Sequence, residues 1–184
     1  SQVHAQGGPA ALITQGGEGL AALFISEQYH SSAPLKAIRA MAPGAEVSFR
    51  NGRYVSEAVT AAKTADVVIV FARKWAAETM DQPDLTLPDG QDALIAAVAE
   101  ANPRTIVVLQ SGNPVLMPWL DKAAAVVQAW YPGARGGEAI ASVLFGQTNP
   151  SGHLPITFPR SESDLPRPKV DGFGTVAPEI VGPA

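Results

Sequence analysis

Three short runs of apolar residues that do not alternate constrain this fold more than any other feature. They are Val67-Val68-Ile69-Val70-Phe71, the stretch TIVVL at 105–109, and AVVQAW at 125–130. A strand with one wet face alternates apolar and polar residues. A strand that is apolar at successive positions is buried on both faces, as in a parallel sheet with helices above and below it. Helical patterns separate the runs. Residues 90–102 place Leu94, Ile95 and Val98 inward and close at Asn102-Pro103. Residues 118–122 form a short helix, and 136–145 a helix ended by Gly146. Such an order implies right-handed βαβ crossovers and an α/β fold, a three-layer sandwich around a mostly parallel, doubly wound sheet.

The flanks are less regular. Residues 1–32 are rich in glycine and polar residues, with a weak apolar patch at 20–25, and form an irregular N-terminal segment. Pro34 suits the first position of a helix that carries Leu35, Ile38 and Met41 at helical spacing, and Pro43-Gly44 stops it. A short strand is predicted at 46–50, a helix at 56–64 with Val55 and Val59 inward, and a final strand at 154–158. The domain therefore runs over 33–159. Residues 160–184 (ending LPRPKVDGFGTVAPEIVGPA) lack periodicity and form a Pro/Gly-rich extended arm or linker.

A chain of 184 residues suffices for one domain with one core. With 46% apolar and 16% charged residues the composition is that of a globular protein. No apolar run approaches the ~18 residues of a membrane span. The net charge of −4, without a Lys/Arg cluster, argues against a nucleic-acid partner. The absence of cysteine excludes disulfides and thiolate metal sites without fixing the compartment. The opening SQVHAQGGPA has no signal-peptide pattern and reads as the interior of a longer polypeptide.

The residues that could do chemistry gather in the connection between the strand at Phe71 and the helix at Gly90. It holds Arg73-Lys74-Trp75-Ala76-Ala77-Glu78-Thr79-Met80-Asp81. At about seventeen residues it far exceeds the usual βα connection of about 2–6, and long loops in compact domains are often functional. In open α/β sheets ligands bind beyond the carboxyl ends of the strands, where this loop begins. A carboxylic acid shielded there by a tryptophan would have its pKa raised by desolvation and could serve as a general acid. The plainer alternative is that Glu78 and Asp81 are solvated loop carboxylates and Trp75 a surface anchor.

Elsewhere the chemistry is thin. His4, His30 and His153 lack metal-ligand spacing, and nothing calls for a metal or a cofactor. Pro132-Gly133-Ala134-Arg135-Gly136-Gly137 lacks the Walker lysine and the GxGxxG spacing, so it reads as a tight turn with Glu138 in the first turn of the next helix. Ser111 is not in a GxSxG elbow. Trp119 and Trp130 fall in apolar patterns and read as core or domain-contact residues.

Four words in fixed order carry a resemblance: KWAAETMDQPDLTLPDGQDALI, ANPRTIVVLQSGNPVLMPWLD, AVVQAWYPGARGGEAIASVLFG and NPSGHLPITFP. Together they resemble the C-terminal α/β sandwich domain of glycoside hydrolase family 3, the family of β-glucosidases and exo-acting β-glucanases. The resemblance is strong from Asp66 to Pro168 and fainter over Ser31 to Asp66. It implies a retaining mechanism shared by two domains, in which an N-terminal β/α barrel supplies an aspartate nucleophile and the sandwich domain lends the acid/base. The family's loop carries a glutamate followed by Gly, a variable residue and Asp. Glu78-Thr79-Met80-Asp81 matches at the Glu and the Asp, with Thr79 in place of the Gly and Gln82 in place of a frequent Arg. The resemblance thus gives Glu78 the acid/base role, Trp75 one wall of the sugar site, and Asp81 the ordering of the loop. It also implies a β-linked glucoside or oligosaccharide as substrate, no cofactor, and a periplasmic or secreted enzyme.

The nucleophile of that family sits in an Asp-Trp pair, which occurs nowhere in this sequence, and a barrel of about 250 residues would not fit. The chain is therefore expected to be a fragment of a larger enzyme. The pure 184-residue chain is expected not to hydrolyse an aryl β-glucoside, and robust turnover would refute this. Two alternatives stand beside this reading. One is a non-catalytic carbohydrate-binding module with Trp75 and Trp119 as stacking platforms. The other is a flavodoxin-like nucleotide or signalling domain, which lacks support from any phosphate loop or acidic cluster.

Overall fold

The computed structural model describes residues 32–76 and 82–166. The elements are α1 (Pro34–Met41), α2 (Val55–Thr64), β1 (Val68–Lys74), α3 (Gln91–Ala101), β2 (Thr105–Ser111), β3 (Ala125–Gln128) and α4 (Gly136–Leu144). Short 3₁₀ turns lie at Leu120–Lys122, Gly133–Arg135 and Glu162–Asp164. The three strands form one parallel sheet in the order β1-β2-β3. Register runs from Val68 opposite Thr105 to Lys74 opposite Ser111, and from Ile106 opposite Ala125 to Leu109 opposite Gln128.

Burial on both faces is complete only in the middle. Val107 and Leu109 join Ile95 of α3 and Trp119 in the main core. Val108 and Gln110 point to the opposite face because side chains alternate along a strand, and they are buried too. The outer strands differ: positions 68–71 of β1 are half-buried and Ala125 of β3 is exposed. Each has β2 as its one hydrogen-bonded neighbour among the described residues.

Helices pair on the two sides of this sheet, α2 with α3 and α1 with α4. Asn102, buried just past α3, ties the first pair: its Nδ2 donates to the carbonyls of Ala62 (2.9 Å) and Ala65 (2.8 Å), and its Oδ1 accepts from the Arg104 amide (2.8 Å). The second pair meets at Gly137, whose N–H donates to Ser32 Oγ at 2.7 Å while Ser32 donates onward to Glu138. A Cβ at Gly137 would sit 2.8 Å from the Ala33 carbonyl carbon, so only glycine allows α1 this close.

Several expectations need correction. Residues 46–50 are not a strand. They are largely exposed, Phe49 included, and no described strand offers them a ladder. Residues 154–158 likewise have no ladder partner among the described residues, and Leu154 and Ile156 face solvent. Val55 is exposed and Val59 half-buried, while Ala62 carries the inner face of α2. The strand expected over 125–130 stops at Gln128, because Trp130 has φ 53°, a conformation no strand can pass through. The helix at 118–122 is a single 3₁₀ turn. Nearly all of 1–32, and residues 167–184 of the arm, lie outside the described residues.

Candidate active site

The parallel register brings the carboxyl ends of the strands to one edge, and the long connection leaves β1 there as residues 75–90. Trp75 is the first residue past β1 and is 38% exposed. Glu78 and Asp81, with Thr79 and Met80, lie outside the described residues. The described residues settle how the two ends of this connection are held.

Lys74, the last residue of β1, has a side chain only 8% exposed. An ammonium so far from water must be paired and hydrogen-bonded. It has three donors, and three acceptors surround it: the carbonyl oxygens of Asp84 (2.5 Å) and Thr86 (2.8 Å), and Asp84 Oδ1 (3.4 Å). One step earlier, the Gln91 side-chain amide mimics a neighbouring strand. Its Oε1 accepts from the Arg73 amide and its Nε2 donates to the Arg73 carbonyl, both at 2.8 Å. The departing and returning ends of the connection are thus fastened to each other and to the start of α3.

Asp84 completes this arrangement by accepting from the Thr86 amide (2.8 Å) and hydroxyl (2.6 Å). The Thr86 hydroxyl, before the Lys74 ammonium, holds the Asp84 carboxyl below its ordinary value of 3.8. A depressed carboxylate stabilises the fold fully above its unfolded pKa, and this contribution is lost as pH falls through the lower folded value. Asp84→Asn is therefore expected to melt with a shallower acid dependence than wild type below about pH 4. Parallel Tm-versus-pH curves for the two proteins would overturn this.

Tyr131 fastens the edge from the other side. Its hydroxyl, carried just beyond β3, crosses β2 to donate to the Lys74 carbonyl at 2.8 Å. The ring passes over Gly112, where a Cβ would lie 2.9 Å from its Cε2, so a side chain at 112 would push it away. Trp130, whose left-handed backbone is a true outlier for a bulky residue, turns the chain here and packs edge-on against Phe158 at 6.3 Å. Beneath the connection, Trp119 Nε1 donates to Asp92 Oδ1 at 2.7 Å, and Asp92 Oδ2 accepts from the Leu87 amide at 3.1 Å. Trp119 is 1% exposed and cannot serve as a stacking platform, which removes half of the binding-module alternative.

The roles of Lys74, Asp84, Gln91 and Tyr131 were not visible in the sequence. The signal for Lys74 was its place: a charge that directly continues a buried strand, before any turn residue. The glycine-rich turn before α4 is as expected, with Glu138 in the helix's first turn. Among the described residues no cluster of three His, Cys, Asp or Glu could hold a metal ion, and no helix is long and apolar enough to cross a membrane.

Residues 3–178 match the glycosyl hydrolase family 3 C-terminal domain. A β-glucosidase of Rhizobium radiobacter is 49% identical over 113 residues, 60% of this chain and 14% of that protein. Beta-glucosidase B of Emericella nidulans is 52% identical over 121 residues, 63% of this chain and 14% of that protein. Among solved structures, DesR, a β-glucosidase from Streptomyces venezuelae in complex with D-glucose, is 52% identical with a TM-score of 0.57, covering 58% of this chain and 14% of its own. The β-D-glucoside glucohydrolase of Trichoderma reesei is 31% identical with a TM-score of 0.74, covering 80% of this chain and 22% of its own. The matched part of the chain thus spans about one-seventh of the curated relatives' length.

Proposed function

This chain belongs to the glycosyl hydrolase family 3 C-terminal domains, and we propose that it is the acid/base-bearing part of a retaining β-glucosidase. The observation that carries the reading is its identity of 49–52% with proteins named β-glucosidase over a stretch of at least 113 residues. The position of the connection supports it as well, since residues 75–90 leave the carboxyl end of a parallel strand with an exposed tryptophan at their start.

In this reading the protonated Glu78 carboxyl gives its proton to the glycosidic oxygen as the aglycone leaves. An aspartate of the N-terminal barrel bonds to the anomeric carbon from the opposite face. Glu78, now a carboxylate, takes a proton from the water that cleaves the glycosyl ester, so the same residue is acid and then base. The two carboxyl groups of such a pair stand ~5–5.5 Å apart. Trp75 offers its face to a sugar ring, and Asp81 orders the loop between them. The substrate is a β-linked glucoside or oligosaccharide. Glu78→Gln in the full-length enzyme tests the reading, and wild-type turnover of an alkyl β-glucoside would sink it.

A further inference from the structure

We propose that Lys74 is a positioning residue for the acid step, fixing the two ends of the connection that carries Glu78. The inference rests on the reading of Glu78 as the acid/base. Its own support is geometric. Lys74 spends all three ammonium donors on the returning end of the connection, at Asp84 and Thr86, while its own carbonyl is held by Tyr131 and its neighbour Arg73 by Gln91. Two of its acceptors are backbone carbonyls, so the clamp fixes the path of the main chain and not merely a side chain. The two ends of the connection whose sequence includes Glu78 are therefore pinned to each other by one cation.

If Lys74 served only to fill space, an uncharged side chain would do it without the penalty of burying a charge. The site also suits an ammonium specifically. Its three acceptors surround one compact point charge, whereas a guanidinium presents a planar fork. A misplacement of about 1 Å in a reacting group can cost on the order of 10²-fold in rate. The clamp's effect should therefore appear in chemistry that depends on proton donation, and hardly at all elsewhere.

Leaving-group dependence reads this out. An alkyl β-glucoside needs its oxygen protonated to depart, whereas 2,4-dinitrophenolate leaves without help. In the full-length enzyme, Lys74→Met is expected to lower kcat/KM for ethyl β-glucoside by about 30-fold and for 2,4-dinitrophenyl β-glucoside by less than about threefold. Lys74→Arg, which keeps the charge and is the safer variant for folding, should fall between wild type and Lys74→Met on the ethyl substrate. An equal loss on both substrates would mark a merely structural lysine and overturn the proposal. So would no loss on either. Glu78→Gln measured alongside separates the two claims. If it shows the selective loss and neither lysine variant does, the role of Lys74 fails alone. If Glu78→Gln leaves both substrates untouched, the acid/base reading fails and takes this role with it.

Discussion

Replacing Glu78 by glutamine in the full-length enzyme is expected to lower kcat/KM for an alkyl β-glucoside by about 10²- to 10⁴-fold, the usual contribution of a positioned proton donor. At 1.36 kcal/mol per factor of ten, this is roughly 3–5.5 kcal/mol of transition-state stabilisation. Glutamine keeps the shape of the side chain and most of its hydrogen bonding, but its amide cannot surrender a proton to a departing alkoxide. The loss should therefore shrink as the leaving group becomes more acidic, nearly vanishing in kcat/KM for 2,4-dinitrophenyl β-glucoside. Deglycosylation should still be slowed, because no carboxylate remains to take the proton of the attacking water. A loss that is the same for every leaving group would place Glu78 in binding or folding instead. The measurement is a set of kcat/KM values across aryl and alkyl β-glucosides of graded leaving-group pKa.

What the sequence disclosed follows from what local pattern can encode. The run TIVVL declared a strand buried on both faces, and β2 is such a strand because β1 and β3 flank it. The same pattern in β1 and β3 overstated their burial, since a run of valines does not record how many neighbours a strand has. EVSFR and LPITF alternate as strands do, yet they stay unpaired among the described residues; a ladder needs a partner, and the partner is not written in the segment. The end of β3 was hidden for a different reason. It depends on one backbone angle at Trp130, a residue type that gives no warning of a left-handed conformation.

The candidate site divides along the same line. Trp75, Glu78 and Asp81 were visible as candidates because they fall in an unusually long connection and, at Glu78 and Asp81, match the family's spacing; Glu78 and Asp81 lie outside the described residues. The clamp was not, because Lys74 binds backbone carbonyls, and any residue would supply those at 84 and 86. Tyr131 was hidden in an apolar word, and its reach across Gly112 to β1 exists only once three strands are side by side.

Trp119→Ala is expected to cost about 3–5 kcal/mol of folding stability, the range for removing a buried aromatic ring. The ring is 1% exposed and packs in the cluster of Ala72, Leu87, Ile95, Val107, Leu109 and Val115. Its removal leaves a cavity between α3 and the sheet, and it strips Asp92 Oδ1 of the indole donor. Trp119→Phe separates these two effects: most of the ring stays, and the orphaned carboxylate oxygen alone should cost about 1–3 kcal/mol. Asp92 also holds the Leu87 amide, so even the milder variant loosens the returning end of the connection. Urea unfolding followed by circular dichroism measures both. A loss under about 1 kcal/mol in Trp119→Ala would mean that the ring fills no essential space and that the core closes over its absence.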